Sequence, residues 1–116
     1  MDKGSPFKGE VVSADASAGV AFTLYPDGNT TAFTLGSTQF LTITDIIFVS
    51  TVGGVYSIAA DTQAAGKYIA KGNADALGGL AHSFSTPLTC PKGVTPKLFA
   101  AAGQVDCVIS GYVKDA

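Results

Sequence analysis

His82 is the one histidine and Glu10 the one glutamate of this chain, so the side chains that usually move protons are nearly absent. General acid–base catalysis relies on a histidine or on two carboxylates whose pKa values are driven apart. His82 is followed by Ser83 and Ser85, and with an aspartate these are the residue types of a nucleophilic triad. No GxSxG turn frames either serine, and that turn is what exposes such a nucleophile. His82 therefore reads as a half-exposed strand residue or one near a subunit interface, where its titration would make assembly pH-sensitive. Cys90 and Cys107 are too few and too far apart for a zinc site or a CxxC redox pair, and are expected as buried or half-buried thiols, with a disulfide between them as the alternative. A single histidine cannot build the multi-histidine metal centre of a cupin. Asp27, Asp61 and Asp75 sit in turn-like contexts without the closely spaced acidic ligands of a calcium loop. Neither GxxxxGK[ST] nor GxGxxG occurs, so nucleotide binding has no motif behind it. The expectation is a protein with no catalytic residue, cofactor or metal ligand of its own.

Composition narrows the partners. The chain has 116 residues, 47% hydrophobic and 14% charged, with a net charge of −2. An average soluble domain is about 25% charged, so little charge is available to cover this surface, and apolar surface is expected against a partner. All seven basic residues are lysines spread from Lys3 to Lys114. Without arginine forks or a basic patch, nucleic-acid and membrane-surface binding lose support. The segment 43–60 is apolar but broken by Asp45, Ser50, Gly53, Gly54 and Ser57, which argues against a membrane span. Met1 to Pro6 lacks the apolar run of a secretory signal, so synthesis in the cytoplasm is expected.

Short runs of alternating polarity separated by Gly, Pro, Asn and Asp predict the elements that would position any site. Strands are expected over Gly9–Val12 and Gly19–Tyr25. The turn Pro26-Asp27-Gly28-Asn29 should then lead into a hairpin partner at Thr30–Leu35. Phe40–Thr51 carries Leu41, Ile43, Ile47 and Val49 on one parity and Phe40, Ile46 and Phe48 on the other. Both faces are apolar, which predicts a central strand covered on both sides. Asp45 interrupts the first face and is expected to cap backbone amides at a bend. Further strands are expected over Val55–Ala60, Gly66–Lys71, Gly78–Ser85, Thr95–Ala101 and Val105–Val113, with Pro87 and Cys90–Gly93 in turns. Alanine content alone permits a helix over residues 59–76, but Gly66 and Gly72 interrupt it and no 3.6-residue period supports it. The fold expected is an all-β jelly-roll sandwich of eight to nine short antiparallel strands over residues 9–116, preceded by a flexible arm at residues 1–8. An immunoglobulin-like sandwich is the alternative, weakened because the chain lacks tryptophan.

Leu41-Thr42-Ile43-Thr44-Asp45-Ile46-Ile47-Phe48-Val49-Ser50, then Gly78-Gly79 with Phe84-Ser85-Thr86-Pro87-Leu88 and Gly93, and the closing Val108-Ile109-Ser110-Gly111-Tyr112-Val113 form a set. Together they resemble small bacteriophage and prophage virion proteins with a tumour-necrosis-factor-like jelly roll, such as head-decoration, head-fibre and tail-tip modules. The resemblance covers roughly residues 40–113. It implies a virion location, a homotrimer in which one sheet of each protomer packs around a three-fold axis, and attachment to a capsid or tail protein of the same particle. Phe40 and Phe99, with Phe48, Tyr56, Tyr68, Phe84 and Tyr112, exceed what one thin core needs. The interface is accordingly expected at Phe48, Tyr56, Tyr68, His82, Phe84 and Tyr112. The competing function is a carbohydrate- or receptor-binding module, with Tyr25 as a stacking platform and Asp27 and Asn29 as hydrogen-bonding groups on one loop.

Overall fold

Alternation is clearest near the C-terminus, where Val105, Cys107, Ile109 and Gly111 are buried and the residues between them are half-buried. That period of two is a strand with one face on a core. The structure is a computed structural model that describes residues 4–63, 65–74, 78–100 and 104–115. Among them every regular element is a strand: β1 (Ser5–Asp15), β2 (Val20–Ala21), β3 (Thr23–Pro26), β4 (Gln39–Ser50), β5 (Gly54–Ala59), β6 (Tyr68–Ala74), β7 (Gly78–Thr89), β8 (Lys97–Ala100) and β9 (Gln104–Asp115). They form a five-stranded sheet in the order β3-β1-β9-β4-β7 and a four-stranded sheet in the order β2-β8-β5-β6. All assigned pairings are antiparallel. The protein is an all-β sandwich with one core cluster, which includes Phe7, Leu41, Ile46 and Ile109 from the first sheet and Ile58 and Leu98 from the second.

Several strands are not short. β1 has 11 residues, and β4, β7 and β9 have 12 each. Register breaks let such long strands bend, because an unpaired extra residue increases the local twist. One lies in β1 between Val11 and Ala14. Another lies in β4, where Ile43 faces Gly111 and Asp45 faces Ser110, leaving Thr44 as the extra residue. Gly111 makes this approach feasible, since a Cβ there would overlap the Thr42 carbonyl oxygen.

The β4 bulge overturns the expected parity. Leu41 and Ile43 point into the core, but after Thr44 it is Ile46, Phe48 and Ser50 that do so. Ile47 and Val49 face outward and remain 52% and 45% exposed. β4 is central in its sheet, as expected, but within one chain only one of its faces is covered.

Three further expectations are corrected. Residues 5–8 of the expected arm are not an arm, because Ser5–Lys8 belongs to β1 and pairs with β9; residues 1–3 lie outside the described ones. The hairpin partner at Thr30–Leu35 shrinks to a single bridge between Leu24 and Phe33. The turn before it forms, with Asn29 N–H donating to the Pro26 carbonyl at 3.0 Å and Gly28 at a φ of 73°. Asn29 Oδ1 then accepts the Thr31 N–H at 2.8 Å, a local bond that competes with pairing, and Leu35 is buried in the core instead. Pro87, expected in a turn, lies within β7. The register passes from Asp45–Ser83 to Ile43–Leu88, so residues 84–87 have only Thr44 opposite them. A proline without an N–H is tolerated on such a bulged edge strand.

Candidate functional site

The bulge that turns Ile47 and Val49 outward also sets their neighbours. Ile47 lies between Val108 of β9 and Ala81 of β7, and Val49 lies opposite Asp106 of β9. Val12, 61% exposed, stands in the β1 bulge. Val108 is half-buried and Ala81 exposed. The outer face of the five-stranded sheet thus carries β-branched apolar side chains on β1, β9 and β4, interspersed with Glu10 opposite Val108 and Asp106 opposite Val49, where a one-sided antiparallel sheet would ordinarily be more polar.

A polar row borders this run. The Ser83 hydroxyl donates to Asp45 Oδ1 at 2.5 Å. The Thr44 hydroxyl donates to Asp45 Oδ2 at 2.8 Å, with the Ser110 carbonyl oxygen as a longer alternative acceptor at 3.3 Å. Asp45 is therefore held by side-chain hydroxyls at a bulge, not by the backbone amides expected of it. The Ser83 and Thr44 hydroxyls hold its carboxyl below the usual carboxylate range. The two hydroxyls thus tie β7 and the β4 bulge to one carboxylate. Along the same row Lys8 forms an ion pair with Glu10 at 3.1 Å, and its ammonium lies 5.4 Å from the Tyr25 ring centre.

The residues expected at an interface fall in different environments. Phe48 and Tyr56 are corrected: both are core residues, 1% and 2% exposed, stacked across the sandwich with centroids 4.3 Å apart at 18°. Aromatic side chains fill the space between sheets more effectively than they cover an outer face, which is why residue type alone misplaced them. Tyr68 is exposed, with the Lys71 ammonium 4.9 Å from its ring centre. Phe84 is half-buried and, with Tyr56, Ile69 and Leu88, lines a cleft of about 240 Å3 where the outer strands β6 and β7 meet. Tyr112 is half-buried on β9, opposite Thr42 and Pro6. The His82 backbone pairs with Ile46, while its side chain lies outside the described residues.

Of the loop trio, Tyr25 lies in β3 and Asp27 and Asn29 in the turn that follows it. Tyr25 is half-buried beside Lys8, Asp27 is exposed, and Asn29 Oδ1 accepts the Thr31 N–H within the turn. Asp75 lies outside the described residues. Among the described residues no group of three or more His, Cys, Asp and Glu side chains is placed to hold a metal ion. Cys90 and Cys107 are free, buried thiols, and burial pushes both pKa values up to about 12. Sequence reasoning found Ile47 and Val49 as apolar but assigned them to the core, because a one-residue bulge leaves no clear mark in a run of β-branched residues. No family model matches the chain, and neither a curated protein nor a solved structure does.

Proposed function

We propose that this chain is a non-enzymatic structural subunit of a virion, a jelly-roll protomer that assembles as a homotrimer and attaches to a capsid or tail protein of the same particle. The observation that carries the assembly part is the outward run of Ile47, Val49 and Val12 on the five-stranded sheet. Apolar side chains on one sheet face gain stability when a neighbouring protomer removes them from water, and closed symmetry repeats that gain in every protomer. The strand order supports the jelly-roll part. With the short edge strand β3 set aside, the sheets read β1-β9-β4-β7 and β2-β8-β5-β6, the order produced when a long hairpin of strands wraps into two Greek keys. The virion part rests on the sequence resemblance over residues 40–113.

The test is the solution mass by light scattering at two protein concentrations and at neutral and mildly acidic pH. A concentration-independent trimer is the expected result, and binding to particles is then measured directly. A clean monomer at both concentrations would remove the trimer and leave the exposed apolar run unexplained by self-assembly.

A further inference from the structure

Beyond the outer face, the inner face of the five-stranded sheet holds a second feature at the end of the sandwich. Gln39 and Asp115 are directly opposed in the β4–β9 register. Residues so opposed in an antiparallel pair have Cβ atoms roughly 4.5–5.5 Å apart. Ser5 pairs with Val113, two residues before Asp115, which adds a hydroxyl on the diagonal. These three polar side chains line a pocket of about 300 Å3 together with Phe33 and Val113, and Pro6 and Pro26 complete its walls. Phe33 and Val113 are partly buried and packed on the core, so the floor is apolar. Gln39 is anchored because its Oε1 accepts the Gly36 N–H at 2.9 Å, which leaves the Nε2 hydrogens as donors.

We propose that this pocket binds a single neutral saccharide ring. The volume is at the lower end of small-molecule sites, which suits one ring and not a chain of them. A sugar presents hydroxyls along its edge and C–H groups on its faces. The Asp115 carboxylate accepts from hydroxyls, the Gln39 amide donates to ring or hydroxyl oxygens, and the Ser5 hydroxyl does both. Phe33 and Val113 offer apolar surface for the C–H faces. A wholly apolar ligand would strip water from Asp115 and Gln39 without replacing its hydrogen bonds. A phosphorylated ligand would meet the Asp115 carboxylate, and none of the described lining residues is basic to offset it. The site differs from the Tyr25, Asp27 and Asn29 loop and does not depend on assembly.

The experiment is a titration of the isotope-labelled full chain, followed by amide NMR, with the methyl glycosides of glucose, galactose, mannose and N-acetylglucosamine at millimolar concentrations. At least one glycoside should shift the amides of Ser5, Phe33, Gln39, Val113 and Asp115 selectively. Asp115→Asn should weaken that binding about tenfold, the scale of a lost hydrogen bond to a charged group. Asp115 is exposed, so this variant should keep the parent spectrum, and Ser5→Ala provides an independent second loss. The proposal is overturned if no glycoside shifts these amides, or if both variants bind as the parent does. It is equally overturned if methylammonium shifts them while every glycoside is silent, which would mark a cation site instead.

Discussion

Replacing Ile47 and Val49 together by threonine tests the bulge and the assembly at once. Fully burying an isoleucine or valine contributes roughly 1.5–3 kcal/mol. Ile47 and Val49 are 52% and 45% exposed in one chain, so about half of that, ~0.8–1.5 kcal/mol each, remains to be gained at an interface. The double variant should thus weaken each protomer contact by ~1.5–3 kcal/mol, or roughly ten- to a hundredfold. Threonine keeps the β-branch, so the fold itself should lose no more than about 2 kcal/mol of a typical 5–15. Had β4 run without a bulge, both residues would face the core, and burying two hydroxyls there would cost ~4 kcal/mol or more. The assay pairs a dilution series by light scattering with urea unfolding of the same samples. An unchanged mass at every dilution would refute the apolar run as an interface. A stability loss above about 4 kcal/mol would refute the outward placement of Ile47 and Val49.

Phe48→Ala should cost about 3–5 kcal/mol in urea unfolding, because it empties the core position stacked on Tyr56; a loss under about 1 kcal/mol would place Phe48 on the surface. Gly111→Ala should destabilise severely or prevent folding, read by the loss of cooperative melting, since its Cβ would overlap the Thr42 carbonyl. The Thr42 hydroxyl is buried with no hydrogen-bond partner among the described residues, so Thr42→Val should raise the urea midpoint, by up to about 1 kcal/mol in stability. Asp45 has a folded-state pKa below its ordinary value of 3.8. Its stabilising contribution is therefore complete above that value and disappears as pH falls through the lower folded one. The stability of the parent should fall across that acid window more than that of Asp45→Asn, read by urea unfolding at each pH. Cys90 and Cys107 should resist a thiol reagent at pH 8 until the chain unfolds, because burial holds both pKa values near about 12.

What the sequence determined by itself was local. Period-2 alternation from Val105 to Ile109, the Pro26–Asn29 turn and the shortage of histidine and glutamate depend only on residue type and near neighbours. The first two sufficed for an all-β chain. Tertiary structure decided what depends on pairing between distant segments. Thr44 becomes an extra residue only against Gly111 of β9, and that one step sends Ile47 and Val49 outward and Phe48 inward. Pro87 stays within a strand because β7 lies at a sheet edge and bulges there. Gln39 and Asp115 lie 76 positions apart in the chain and share a pocket only because β4 and β9 pair end to end. Strand order and register are set by which apolar faces close on one another across the whole core, and no local window of sequence contains that information.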